Sequence, residues 1–412
     1  MNNPKPVHAP MLQFPVQGGE LCVGGIALGR LAARAGGTPF YAYDRALIAA
    51  RVAELRALLP PMIQLHYAIK ANPMPALLGF MAGLVDGFDM ASAGELKLAL
   101  DTGMAAANIG FAGPGKRASE LRQAVAAGVL VNAESARDIQ LLAQAGKAGG
   151  WPARLALRIN PNFDLKSSGM KMGGGAGPFG IDEEQVEALL AQVAQPGLAF
   201  EGFHIYAGSQ NLRGDALADC LRAAYALACR LAPMAPAPLA SINLGGGFGI
   251  PYFPGEEPLD LAPIESALKD IAANARQRFG EIKLILELGR YLVGEAGVYV
   301  TRIIDRKVSR GQVFLVTDGG LNHHLAASGN FGQVLRKNYP LAIGNRMGAP
   351  AAAAPVSVVG PLCTPLDLLG DNVLLPHAEP GDLVVVYQSG AYGASASPQA
   401  FLGHPPVTEL LV

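Results

Sequence analysis

Lys70 closes the stretch LHYAIKANP (Leu65–Pro73), an apolar run that reads as a buried strand meeting an Asn-Pro turn. An amine at the end of a core strand is costly unless it faces water or forms a bond. Three more apolar runs end in reactive or ligand-holding groups. FEGFHIYAG carries His204 and Tyr206 and leads into Gly208 and Ser209; SINLGGG ends on Gly245, Gly246 and Gly247; KLILELG holds Glu287 and Gly289, with Arg290 next. A lysine amine in a partly desolvated mouth can lose its proton and attack an aldehyde, giving a Schiff base. A glycine turn lets backbone N–H groups approach a phosphate, and an arginine adds a charge-assisted contact. With a carboxylate facing a ring nitrogen, these groups together describe pyridoxal phosphate. Each has a plain structural reading alone: a tight turn, an ion pair, a snorkelling strand end. Their joint placement carries the chemistry.

The elements that must position them alternate regularly between Leu65 and Glu287. Eight candidate strands, LHYAIK, GFDMAS, NIGFAG, VLVNAE, RLALRIN, FEGFHIYAG, SINLGGG and KLILELG, are interleaved with amphipathic patterns such as AGELKLALDTG, SARDIQLLAQAG and IESALKDIAANARQRF. Eight such strands predict a parallel sheet closed into a TIM-like (β/α)8 barrel, with its active site at the C-terminal strand ends; an open doubly wound sheet is the alternative. A helix is expected from Asp44 to Leu59, with Asp44 as N-cap. GMKMGGGAGPFG (Gly169–Gly180) reads as a glycine-rich insertion after the fifth strand, a lid or a plain connection. Beyond Arg290 the texture turns to β-rich segments, GVYVTRIIDRKV, QVFLVTD and GDLVVVYQSGAYG. The expected domains are a barrel over 38–290 and a mainly β domain from 291–412, joined by 1–37, which lacks helical periodicity.

The 412-residue chain has a formal net charge of −1, which argues against nucleic acid or an anionic membrane as a partner, since either would favour a clustered basic face. No apolar run is long enough to span a bilayer, and MNNPKPVHAP lacks the order of a signal peptide, so a cytoplasmic location is expected. Cys22, Cys220, Cys229 and Cys363 are widely spaced and suggest reduced thiols, not a disulfide framework or zinc site. His323 and His324 in LNHHL tempt a metal reading; adjacent residues on a strand face opposite ways, so no metal site is expected.

At these residues the sequence resembles the fold-type III pyridoxal phosphate enzymes, in particular the diaminopimelate and ornithine decarboxylase family. The shared motifs are YAIKAN, FDMASAGEL, GPGK, NAES, LRINP, GSQ, NLGGGFGIPY, ELGR, GPLC with Asp367, and GAYGASAS, in family order over almost the whole chain. The resemblance implies roles. Lys70 would carry the cofactor as an internal aldimine, and Glu287 would keep the pyridine nitrogen protonated. Ser209, Gly245–Gly247, Arg290 and Tyr392 would bind the phosphate, beside Gly289. Cys363 would act in proton return, contributed across a head-to-tail homodimer interface.

The sequence departs from that pattern in three places. Tyr206 stands where relatives place a ring-stacking histidine, and His204, two residues earlier on the same strand face, is a candidate to share the task. CTPLD (Cys363–Asp367) replaces a Cys-Glu-Ser-Gly-Asp-like motif, so Thr364 cannot supply the charge that reads the distal end of diaminopimelate; Thr364 and Asp367 remain the expected substrate contacts. In DGGLNHHLAASGN, Ala326 or a neighbour stands near the place of a carboxylate-gripping arginine. A site built to pair a charge discriminates strongly when the partner is missing. CTPLD and SGMKMGGG look instead like a side branch acting on amino acids tethered to acyl-carrier proteins or linked to exosortase and exopolysaccharide clusters. The expected activity is decarboxylation of a free or carrier-tethered amino acid. Alternatives are diaminopimelate decarboxylation in lysine biosynthesis, amino-acid racemisation, and a regulator that has lost catalysis.

Overall fold

The computed structural model describes residues 6–165, 169–171, 173–331, 333, 335–348 and 353–412; Met172 of the expected insertion lies outside them. All eight expected strands form: β1 (Ile63–Ala68), β2 (Gly87–Met90), β3 (Ile109–Phe111), β4 (Leu130–Ala133), β5 (Ala153–Asn160), β6 (Leu198–Ile205), β7 (Ser241–Gly246) and β8 (Lys283–Leu288). Each pairs in parallel with the next, β8 pairs with β1 and β4 with β5, so the sheet closes into a barrel. The strands are apolar runs because both faces are covered: Leu65, Leu155, Leu157 and Leu284 are all at 0% exposure. Helix starts follow short polar caps. Ser92 Oγ accepts from Glu95 N and Ser135 Oγ from Asp138 N, opening the helices Ala93–Asp101 and Ala136–Gly149. The expected helix after Asp44 spans Arg45–Leu58, and Asp44 Oδ1 accepts from Ala46 N and Leu47 N.

The chain forms two compact units: Val52–Gly249 with Leu259–Gly289, and Met1–Arg51 with Ile250–Pro258 and Arg290–Val412. Set against the expected limits, Thr38–Arg51 and Ile250–Pro258 go with the β unit. Strand Phe40–Tyr43 explains the first, since it pairs antiparallel with β9 (Gly297–Ser309). Tyr252 explains the second, since its ring packs 4.8 Å from that of Tyr339. The sheet of this unit continues from β9 to β10 (Gln312–Thr317), β11 (Ala354–Val359) and β12 (Leu368–Leu375) on one side, and to β13 (Leu383–Val386) on the other.

Two expectations are corrected. The opening segment contains a helix, Leu28–Ala35, after a small three-stranded sheet. Leu28, Leu31 and Ala32 are its buried face, and Gly36, at φ 82°, ends it in the left-handed region; so short a pattern, interrupted by Gly29, hides its period. The first barrel strand also stops at Ala68, before Lys70, because Ile69–Ala71 winds into a single 3-10 turn. Among the described residues no helix is long and apolar enough to cross a membrane.

Candidate active site

Lys70 rides on that 3-10 turn at the C-terminal end of the barrel, and its side chain is exposed. The turn fits against β8 only because residue 289 is glycine: a Cβ there would lie 2.8 Å from Ala71 Cβ. Lys70 Nζ lies 5.9 Å from the centre of the Tyr206 ring. Its charge is also felt by Glu95, whose carboxyl is raised by burial against the opposing pull of Ala91 N–H and Lys70.

Glu287 sits near the end of β8 at 9% exposure. His204 Nε2 lies 3.2 Å from its Oε2, and Asn243 Nδ2 donates to the same oxygen at 3.1 Å. No described residue hydrogen-bonds Oε1. Burial pushes this carboxyl up, but His204, Lys70 and Arg158 together outweigh it and hold it below the usual carboxylate range. Behind it, Asp89 lies 3.3 Å from His66 Nδ1. Burial and the Glu287 charge raise the Asp89 carboxyl, with His66 opposing.

The glycine turn follows β7. Gly245 and Gly247 have φ of 76° and 91°, and a Cβ on Gly246 would come 2.0 Å from Glu287 O. Asn243 Oδ1 accepts from Gly245 N at 2.8 Å and fixes the turn from below. Ser209 lies just beyond β6, where Gly208–Ser209 pairs antiparallel with Met170–Lys171. The glycine-rich insertion is therefore partly ordered against the end of β6. Its far base is held by Glu134, which accepts from Gly180 N and Gly113 N and pairs with Arg158. Lys116 pairs with Asp138 beside it. These residues, from GPGK, NAES and LRINP, tie together the loops after β3, β4 and β5.

In the β unit, Arg290 opens a short helix immediately after Gly289. Its guanidinium lies 4.5 Å from the Tyr392 ring centre and donates to Tyr252 OH at 2.8 Å, while Nε is buried without a hydrogen-bond partner among the described residues. Tyr392 itself has a left-handed φ of 53°. Cys363 is exposed on the loop between β11 and β12. Thr364 Oγ1 accepts from Leu366 N within that loop.

Asp367, expected as a substrate contact, is turned inward. It is 3% exposed, and its two oxygens accept from Leu321 N and Leu362 N. Gly320 and Gly360 make the room: a Cβ on either would come within 2.3 Å of this carboxylate. His323 and His324 lie on a turn, not a strand, which corrects the reason given for separating them. Their Nε2 atoms bond Pro405 O and Ser389 Oγ respectively. Ala326 is buried.

Sequence reasoning did not single out Asn243, Glu134 or Arg158, although each is a polar residue inside or just after an otherwise apolar strand run, nor Glu95 in the first turn of the helix Ala93–Asp101. Of the two expected ring-covering candidates, His204 lies against Glu287 and Tyr206 lies toward Lys70. An ionised carboxylate with one oxygen uncommitted, an exposed amine and a side-chain-free turn fit the ring nitrogen, aldehyde and phosphate of pyridoxal phosphate.

Comparison with known proteins agrees. Residues 45–294 match the family described as "Pyridoxal-dependent decarboxylase, pyridoxal binding domain". The L-glutamyl-[BtrI acyl-carrier protein] decarboxylase of Niallia circulans is 41% identical over 91% of this chain and 88% of its own. A 2-[(L-alanin-3-ylcarbamoyl)methyl]-2-hydroxybutanedioate decarboxylase of Staphylococcus aureus is 30% identical over 89% of this chain and 92% of its own. The crystal structure of Helicobacter pylori diaminopimelate decarboxylase with L-lysine superimposes with a TM-score of 0.82 at 28% identity, covering 93% of this chain and 94% of that one. The chain belongs to the pyridoxal-dependent decarboxylase family. It is a decarboxylase, and pyridoxal phosphate is its cofactor.

Proposed function

We propose that this enzyme removes the α-carboxylate from an amino-acyl substrate tethered to an acyl-carrier protein. The observation that carries the reading is the Cys363–Asp367 loop. Its one carboxylate, Asp367, is turned inward onto backbone N–H groups, and Thr364 bonds back into the loop, so it presents no anion to a free distal ammonium. The Niallia circulans relative, named for a carrier-bound glutamyl substrate, supports it.

When bound, pyridoxal phosphate supplies the electron sink into which the bond to the departing carboxylate collapses. Lys70 would hold it covalently, and Tyr206 would cover its ring. Ionised Glu287 would accept a hydrogen bond from the ring nitrogen through Oε1, with His204 and Asn243 fixing the other oxygen. Ser209, Gly245–Gly247, Arg290 and Tyr392 would bind the phosphate. Proton return to the α-carbon, in place of the lost CO2, falls to Cys363. Its exposure suits contribution to the site of a second copy of this chain, so the active form is a homodimer; the place of action is the cytoplasm.

Release of CO2 from free and carrier-tethered amino acids tests this. Turnover of a tethered amino acid is expected, with little from meso-diaminopimelate. Efficient turnover of meso-diaminopimelate alone would instead assign the enzyme to lysine biosynthesis.

A further inference from the structure

A buried arginine ordinarily pairs with a carboxylate. Arg290 does not. No described carboxylate forms an ion pair with it, and Glu295, in the same stretch of chain, is taken by Arg51. Its partners are phenols. Nη1 donates to Tyr252 OH at 2.8 Å, and the guanidinium carbon lies 5.3 Å from the Tyr252 ring centre and 4.5 Å from that of Tyr392. Burial raises the Tyr252 phenol above its ordinary value, with Arg290 opposing, so it stays protonated. A neutral hydroxyl takes one N–H of the arginine without cancelling its charge. The whole positive charge is left for an anion.

Tyr252 is itself fixed. It is 2% exposed, and its ring packs against Tyr339. Glu256 Oε2 accepts from Tyr252 N at 2.8 Å and from Phe253 N at 3.0 Å. On the other side, Gln388 Nε2 donates to Pro251 O at 2.8 Å. Gly294 lets this segment lie close, since a Cβ there would come 2.5 Å from Ile250 Cδ1. A long arginine side chain loses rotamer freedom when it grips a ligand, unless it is already ordered. A fixed acceptor beneath Arg290 moves that cost from ligand binding to folding.

We infer that Tyr252 is a positioning residue for the phosphate grip, one that orders Arg290 and keeps it a full cation. This rests on the reading of Arg290 as a phosphate ligand.

The full-length protein, freed of cofactor, is titrated with pyridoxal phosphate and, separately, with pyridoxal, which lacks the phosphate. Absorbance of the bound cofactor reads both. Tyr252→Phe keeps the ring and removes the acceptor. It is expected to weaken pyridoxal phosphate about 10-fold, the effect of one hydrogen bond to a charged group, and to leave pyridoxal within about twofold of the wild type. Arg290→Met is expected to remove most of the preference for the phosphorylated form. In the double variant, Tyr252→Phe adds nothing further, because its effect runs through Arg290. Tyr225→Phe, which removes a phenol that donates to Asn274 in the barrel unit, serves as a control and is expected to bind both like the wild type. Equal weakening of both ligands by Tyr252→Phe, an effect that adds to that of Arg290→Met, or no effect at all overturns the inference. An unchanged preference in Arg290→Met overturns the reading of Arg290 together with the inference; a lost preference there beside an unaffected Tyr252→Phe overturns the inference alone. Glu256→Ala, which frees the backbone that holds Tyr252, is expected to weaken pyridoxal phosphate selectively by a smaller factor, and it decides the point should Tyr252→Phe fail to fold.

Discussion

His204 and Glu287 meet at 3.2 Å inside the barrel, both nearly inaccessible, with the histidine on β6 and the carboxylate on β8. Asn243, on β7 between them, donates to the same carboxylate oxygen. Three adjacent strands thus hold one carboxylate ionised and aimed. That arrangement, more than any single motif, defines what the barrel end can do.

Replacing Glu287 with Gln removes the anion and leaves the packing nearly unchanged. The decarboxylation rate should fall by roughly 10²-fold or more, since a preorganised charge at the reacting group is lost. Cofactor retention should weaken too. Steady-state kinetics and dialysis of cofactor-loaded protein measure the two effects separately.

The same carboxylate gives a signed pH dependence of stability. Its folded pKa is depressed, with burial opposing and His204, Lys70 and Arg158 prevailing. Its stabilising contribution is therefore complete above the unfolded value of about 4.3 and is lost as pH falls through the depressed folded value. Urea unfolding of cofactor-free protein below pH 5 should show a steeper acid decline in the wild type than in Glu287→Gln. Parallel declines would contradict the assigned environment.

Gly246→Ala should destabilise the barrel, because the new Cβ would come 2.0 Å from Glu287 O on the adjacent strand. The strand must move, at a cost of about 1–3 kcal/mol. Thermal unfolding gives the stability change, and reduced cofactor affinity should accompany it because Gly246 shares the turn and abuts Glu287.

Asp367→Ala frees two buried backbone N–H groups, those of Leu321 and Leu362, at about 1–3 kcal/mol. The loop carrying Cys363 should loosen. Faster reaction of Cys363 with a thiol reagent, together with a lower decarboxylation rate and a cofactor spectrum like the wild type's, is the expected signature.

The barrel was legible because its strands are buried on both faces, so each is a continuous apolar run bounded by a helix of clear period. Lys70, Glu287 and the Gly245–Gly247 turn were legible for the same reason: they interrupt such runs at predictable ends. What sequence did not show was where side chains turn once periodicity stops. His204 and Tyr206 share a strand face by parity, yet one reaches Glu287 and the other faces Lys70. Asp367 folds inward because Gly320 and Gly360 leave room for it, a relation between distant residues that no local pattern encodes. The Leu28–Ala35 helix escaped notice because eight residues give period analysis too little to act on.

The most direct test of the account is the covalent address of the cofactor. Holoenzyme is reduced with borohydride, digested, and mapped by mass spectrometry. The account requires the phosphopyridoxyl mass on the peptide containing Lys70, and its absence from Lys70→Ala. A label on a different lysine, or none on protein saturated with cofactor, would contradict it.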